Sequence, residues 1–287
     1  MKKVEELLEL LQLEQIEVNL FRGASKSIGS PRVFGGQVLA QALSAAIQTV
    51  PDDRFVHSLH AYFILPGDVN HPIIFEVDRI RDGGSFTTRR IKAIQHGRAI
   101  FNMSASFQLE QFGYDHQIDM PEVPGPDKLD NWEGLARVYS EQLPPNFKRF
   151  LELDRPLEFK PVERYPPNDP VLHEPFKHVW MRSRGQMPPE KKWHQVVLAY
   201  ASDYNLLTTS LLPHGQKIDY GNVQLASLDH AMWFHRDFSM EEWLLYVIDS
   251  PSASNARGFT RGNIFTQDGK LVASVMQEGL IRPIIQK

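Results

Sequence analysis

The same unit is written twice in this chain, and that repetition limits what it can fold into more than any single motif. The stretch "GGQVLAQALSAAIQ" (35–48) is apolar nearly all round, and "HQVVLAYASDYNLL" (194–207) has the same texture, with Gln37-Val38 matching Gln195-Val196. Helices of this kind are surrounded by protein, since neither has a strongly polar face to turn to water. Each is followed by strands in one order. "SLHAYFI" (58–64) parallels "SLDHAMWF" (227–234), and "HPIIFEVDRI" (71–80) parallels "EEWLLYVIDS" (241–250). Two long paired strands then close each half, 85–108 around His96-Gly97 and 256–279 around Asp268-Gly269. Glycine stands where a tight hairpin turn needs a positive φ. Matched points are offset by 158 positions (203 against 45), 169 (227 against 58) and 172 (277 against 105). The order is kept while loops vary, as a duplicated unit requires.

One long apolar helix wrapped by a curved antiparallel sheet is the pattern of the hotdog fold. Two such units predict an α+β double hotdog, its two helices side by side and its sheets joined edge to edge into one continuous curved antiparallel sheet. Joining the sheets also hides strand edges that a single unit would otherwise expose. The expected division is an N-terminal unit (1–110), a connector (111–175) and a C-terminal unit (176–287). Eleven of the 20 prolines fall within 121–175. Proline interrupts helices and strand ladders, so that segment reads as a connector with short helical pieces, one of them a surface helix over 131–143.

Composition excludes several functions. With no cysteine among 287 residues, thiolate nucleophiles, disulfides and cysteine-based metal sites are ruled out. A net charge of −4 supplies no basic field for nucleic acid. The N-terminus carries Glu within its apolar stretch and repeats Leu7, Leu8 and Leu11 at helical spacing. That predicts an amphipathic surface helix, not an export signal or a membrane span. The terminal Ile284-Ile285-Gln286-Lys287 is not an S-K-L tail, and a cytoplasmic protein is expected. Neither a G-x-S-x-G elbow nor a glycine-rich phosphate cradle occurs.

Histidines raise the question of a metal. His57 and His60 are three apart, and His230 and His235 five apart. In regular strands an odd separation splits each pair across the sheet, so no metal and no cofactor is expected. The adjacent Asp229 and His230 diverge for the same reason, while Ser227 and Asp229 are expected to share a face. Asp203 is the sharper anomaly, an acid inside an apolar helix. It stands either at a helix irregularity or in a pocket where it holds water or acts as a base. Asp203, Ser227 and Gln277 match Ala45, Ser58 and Ala105 of the first half, so one copy keeps three polar groups where the other has lost two. Duplication followed by one-sided loss leaves a single site per chain.

The blocks "RVFGGQVLAQAL", "HSLHAYFILPGD", "YASDYNLL", "SLDHAMWFHR", "EWLLY", "SASNARGF" and "VASVMQEG" together resemble the acyl-CoA thioesterase II (TesB-type) family. The resemblance runs from the N-terminal helix to about residue 282 and includes the connector. It implies hydrolysis of medium- and long-chain acyl-CoA to free fatty acid and coenzyme A, and a homo-oligomer, dimer or tetramer. It also implies that an Asp, a Ser or Thr, and a Gln activate the attacking water, roles that fall on Asp203, Ser227 and Gln277. Ser227 stands where many relatives have Thr; it keeps the hydroxyl and loses the methyl that restricts its rotation. Backbone N–H groups or the Gln277 amide are open as oxyanion donors, and Arg257, Arg261, Arg89, Arg90 and Lys92 as partners for phosphates. The rival readings are a hotdog enoyl-CoA hydratase and a non-catalytic acyl-CoA-binding module.

Overall fold

The two apolar stretches form helices that pack against each other in the computed structural model, which describes residues 1–141, 148, 151–165, 171–217 and 222–284. A short N-terminal helix, α1 (Val4–Leu11), buries Val4, Leu7, Leu8, Leu10 and Leu11 against the body. Helix α2 (Gly35–Ile47) is buried from Gly36 to Ala46. In the connector, α3 (Trp132–Val138) is capped by the Asn131 side chain, which accepts from Gly134 N. It is less of a surface helix than expected, because Trp132 and Ala136 are buried and the Trp132 ring stacks on Phe159 at 4.5 Å. Residues 142 and 143 of that expected helix lie outside the described residues, as do 144–147, 149–150 and 166–170 of the proline-rich stretch, 218–221 and the tail 285–287.

Helix α4 (Lys191–Ser202) ends earlier than its apolar pattern suggests. Asp203 is its C-cap, Tyr204 N turns back to Ala201 O, and Asn205 takes a φ of +67°. Asn tolerates that left-handed conformation better than most residues, so the chain leaves the helix there. A 3-10 segment, Leu207–Lys217, follows.

Thirteen strands are seen among the described residues. The first half supplies β1 (Glu14–Glu17), β2 (Leu20–Gly23), β3 (Arg54–Phe63), β4 (Ile73–Asp82), β5 (Phe86–Gln95) and β6 (Arg98–Leu109). The connector adds β7 (Leu157–Pro161). The second half supplies β8 (Phe176–Ser183), β9 (Val223–Ser227), β10 (Asp229–Phe234), β11 (Leu244–Ser254), β12 (Arg257–Thr266) and β13 (Leu271–Pro283). They form one open antiparallel sheet in the order β1-β2-β4-β5-β6-β3-β10-β13-β12-β11-β8-β7, with β9 also on β13. The halves meet at β3 and β10, where Leu59 pairs with Met232 and Ala61 with His230. This is the double hotdog, its inner faces packed on α2 and α4.

Ion pairs echo the duplication. Arg90 pairs with Asp78 between β5 and β4, and Arg261 with Asp249 between β12 and β11, each pair 171 positions from its counterpart. Both are exposed, so they mark common ancestry of the unit more than they stabilise it. The connector covers Trp180, Trp243, Leu245 and Phe265 with Met120, Val123 and Leu129, and Pro124 O accepts from Trp180 Nε1 at 2.9 Å.

Two one-residue slips in the ladder overturn expectations based on strict alternation. At Leu228 the register on β13 changes, from Ser227 opposite Gly279 to Ala231 opposite Met276. A bulge of this kind inverts the facing of everything beyond it. Ser227 therefore turns inward, as does His230, while Asp229 turns away to accept from Glu278 N at 2.6 Å. Ser227 and Asp229 do not share a face. The second slip, at His57 on β3, puts His57 on Ser106 and His60 against Trp233, both on the outer face. That pair is not split across the sheet as alternation predicts. His230 and His235 are split, with His235 turned out to Ser274.

Candidate active site

The early end of α4 aims the Asp203 carboxylate across the interface between the two halves. Its Oδ1 accepts from Gln277 Nε2 at 2.8 Å and from Ser227 Oγ at 3.3 Å. Its Oδ2 accepts from Gly36 N at 2.9 Å, in the first turn of α2. The three residues singled out in the sequence thus meet in space, 24 and 74 positions apart. Burial pushes the Asp203 carboxyl up to about 6 from an ordinary 3.8. Hydrogen bonds from Gln277, Gly36 and Ser227 oppose the rise, each favouring the charged form. A carboxylate poised near neutrality suits a base that must take up a proton and give it back.

Two glycines make this approach possible. A Cβ on Gly36 would lie 2.4 Å from Tyr200 O, and one on Gly35 would lie 2.7 Å from Asp203 Oδ2. Only bare backbone brings the start of α2 this close to the end of α4. The helix start also offers a carboxylate free N–H groups and the positive end of the dipole. Two glycines opening an apolar helix were a visible signal in the sequence, one that the polar trio overshadowed. An aromatic wall stands beside the acid: Phe34 packs on Tyr200 at 5.2 Å and on Tyr204 at 4.5 Å, and Tyr204 packs on Phe159.

His230 is the second residue whose place the sequence did not reveal. It is fully buried, and burial drives its imidazole down to about 3, so the ring is neutral. Ser202 Oγ donates to Ala199 O, which leaves it to accept from His230 Nε2 at 2.9 Å. With the proton on Nε2, His230 Nδ1 is an acceptor and faces Gln277 Nε2 at 3.4 Å. Both N–H groups of the Gln277 amide are then committed, one to Asp203 and one to His230. Its Oε1, buried and without a hydrogen-bond partner, is left as a free acceptor. This removes the Gln277 amide as an oxyanion donor and leaves backbone N–H groups. The diverging Asp229 and His230 also lack the paired geometry that a hydratase reading would need.

The basic residues considered for phosphates are engaged elsewhere. Arg89 is fully buried and bonds Thr49 and Asp82, while Arg90, Lys92, Arg257 and Arg261 pair with Asp78, Glu76, Glu278 and Asp249. Among the described residues no helix is long and apolar enough to cross a membrane.

Fold and site together define a hotdog-type acyl-thioester hydrolase. A family model described as "Acyl-CoA thioesterase" matches residues 152–280, and one described as "Acyl-CoA thioesterase N-terminal domain" matches 22–108. The chain is 40% identical over 276 residues to "Acyl-CoA thioesterase 2" of Haemophilus influenzae, covering 96% of each chain. It is 41% identical over 283 residues to "Acyl-coenzyme A thioesterase 8" of Homo sapiens, covering 95% of this chain and 88% of that one. Among solved structures, acyl-CoA thioesterase II TesB2 from Mycobacterium marinum superposes with a TM-score of 0.79 at 43% identity, over 96% of this chain and 97% of that one. The chain belongs to the acyl-CoA thioesterase II (TesB-type) family and hydrolyses acyl-CoA thioesters.

Proposed function

We propose that Asp203, Ser227 and Gln277 hydrolyse medium- and long-chain acyl-CoA through one directly activated water. The observation that carries this reading is the convergence of Ser227 and Gln277 on Asp203 Oδ1, with Gln277 Oε1 left as a free acceptor. Ser227 and Gln277 hold the water, and Asp203 takes its proton as the oxygen attacks the thioester carbonyl carbon. The carbonyl π electrons move onto oxygen, and the Gly35 N–H, at the helix start beside the Gly36 N–H that holds Asp203, is the donor offered to it. Collapse restores the carbonyl and expels the coenzyme A thiolate, which receives the proton held by Asp203. No covalent enzyme intermediate is required, because a thioester is already an activated acyl donor. The wall of Phe34, Tyr200, Tyr204 and Phe159 supports an apolar acyl chain as the group recognised.

Thiol release across acyl-CoAs of increasing chain length tests the reading. The Asp203→Asn protein should lose at least about 10²-fold in kcat on every substrate. Near-normal turnover by the folded variant would remove Asp203 as the base.

The wider setting belongs to the same proposal. The division into 1–110, 111–175 and 176–287 draws support for its two halves from separate family matches to 22–108 and 152–280, the second of which takes in β7, a strand of the connector that pairs with β8. A cytoplasmic location fits α1, whose apolar face packs on the body as part of the core. Self-association as a dimer or tetramer is supported by the outer sheet face, where Tyr62 is 66% and Met276 37% exposed. Light scattering at micromolar concentration tests this, and a monomer refutes it.

A further inference from the structure

On the opposite side of β3 from the seam, two turns bring three metal-binding side chains together. The connection between β3 and β4 carries Asp68 and His71, and the tip of the β5–β6 hairpin carries His96. Asp68 Oδ1 is occupied by Asn70, which donates from N at 2.9 Å and from Nδ2 at 3.1 Å. Asp68 Oδ2 is left for both histidines, with His71 Nδ1 at 2.8 Å and His96 Nε2 at 3.4 Å. The three donor atoms all lie within 4.8 Å of one another, and among the described residues no other group of His, Asp and Glu converges in this way.

The arrangement is held in place from beneath. Gln95 is 4% exposed, and its Nε2 donates to the carbonyls of Asp68 at 2.9 Å and His71 at 2.8 Å. Its Oε1 accepts from Asp68 N at 2.8 Å. One buried amide thus clamps the Asp68–His71 turn to the strand that carries His96. His96 itself takes a φ of +50° ahead of Gly97 at +69°. That conformation in a two-residue hairpin turn favours Asn-Gly, and His is among the few other residues that accept it.

We propose that Asp68, His71 and His96 form a binding site for a divalent cation of the zinc class, joining the β3–β4 connection to the tip of the β5–β6 hairpin. Two imidazole nitrogens and one carboxylate oxygen are a zinc donor set, and half-exposed rings leave the fourth position to water. Tetrahedral ligands at zinc distances stand about 3.3 Å apart. The His96–Asp68 separation already matches, and the His71–Asp68 hydrogen bond opens as the ion replaces the proton. Magnesium, which demands oxygen ligands in octahedral array, is not a match. The role is structural. Val33 N donates to Gly67 O, and Ser25 Oγ to His71 O, so the β3–β4 connection braces the segment that leads into α2 and Gly36.

The test is calorimetric titration of the metal-stripped full chain with zinc chloride and, separately, magnesium chloride, alongside thermal unfolding. One zinc equivalent per chain should bind with a Kd of about 10 µM or tighter, and a hundredfold excess over Kd should raise Tm by about 5 °C or more. His71→Ala and His96→Asn should each weaken binding by about tenfold or more. The His96→Asn change supplies the favoured turn residue, so lost binding there cannot be put down to misfolding. Zinc binding weaker than about 1 mM, or binding unchanged in both variants, overturns the proposal, as does magnesium bound equally well.

Discussion

The half-buried Asp203 and the buried His230 make opposite demands on pH, and substitution should separate them. The Asp203 carboxyl stands at about 6 in the folded chain against an ordinary 3.8, so the folded state takes up a proton first as pH falls. Lowering the pH from 7 to 4 therefore stabilises the fold through Asp203 by about 2.4 kcal/mol, since the two states differ in protonation at about 1.4 kcal/mol per pH unit between those two values. His230 works the other way, because its folded value of about 3 lies below an ordinary 6.5. The unfolded chain protonates first, and stability is lost as pH falls from 6.5 toward 3, at about 1.4 kcal/mol per pH unit. Between pH 4 and 6 the two slopes oppose each other and nearly cancel in the native protein. Asp203→Asn removes one side. Relative to the native chain, it should lose about 2.4 kcal/mol of stability between pH 7 and pH 4, whatever its offset at neutral pH. Urea unfolding of both proteins at half-unit intervals reads this difference directly. His230→Gln should tilt the curve the opposite way, toward greater relative stability in acid. If the Asp203→Asn difference stays constant with pH to within about 0.5 kcal/mol, the carboxyl does not titrate near 6 and the reasoning fails.

The same carboxyl should govern the rate. kcat/KM should fall about tenfold per pH unit below about 6, the acid limb belonging to Asp203 in the free enzyme; a profile flat to pH 5 would contradict this. Ser227→Ala should lower kcat by about 10- to 10²-fold while Ser227→Thr retains activity, because the hydroxyl and not the methyl touches Asp203; thiol release separates the two. Gly36→Ala would put a Cβ 2.4 Å from Tyr200 O and push α2 away from α4. It should lower both Tm and kcat, the latter through loss of the Gly36 bond to Asp203, and a variant with native values of both would refute the close-approach argument.

The fold was legible in the sequence because duplication shows as order and periodicity, which survive divergence of the residues themselves. The polar trio was legible for a related reason, since each member breaks the apolar texture of its counterpart in the other half. What escaped depended on backbone detail that residue types do not record. The slip at Leu228 costs the chain one pairing and inverts the facing of Asp229, so a parity argument valid for regular strands failed there and again at His57. The end of α4 at Ser202 was hidden because Tyr204, Leu206 and Leu207 continue the apolar pattern past the point where Asn205 turns the backbone. His230 could be read in the sequence only as a strand histidine diverging from Asp229, because its contribution lies in a tautomer set by Ser202 at the end of α4.

The asymmetry between the halves goes deeper than three substitutions. In the first half the position of Asp203 is Ala45, buried inside a helix that runs on to Ile47, so an acid there would point into packed neighbours and not off a helix end. Where Thr260 pairs with Gln277 in the second half, Arg89 pairs with Ala105 in the first. Its guanidinium lies buried beneath the end of α2 on Thr49, a cation set against the negative end of a helix. Restoring Asp, Gln and Thr at 45, 105 and 89 would thus leave α2 unbroken and would not create a second site. Nor is the first half a bystander, because Gly36 of α2 supplies the N–H that holds Asp203 Oδ2. In the proposed mechanism the duplicated unit works as one site built from both copies: the second half brings Asp203, Ser227 and Gln277 together, and the first supplies the helix start whose Gly36 N–H holds the acid.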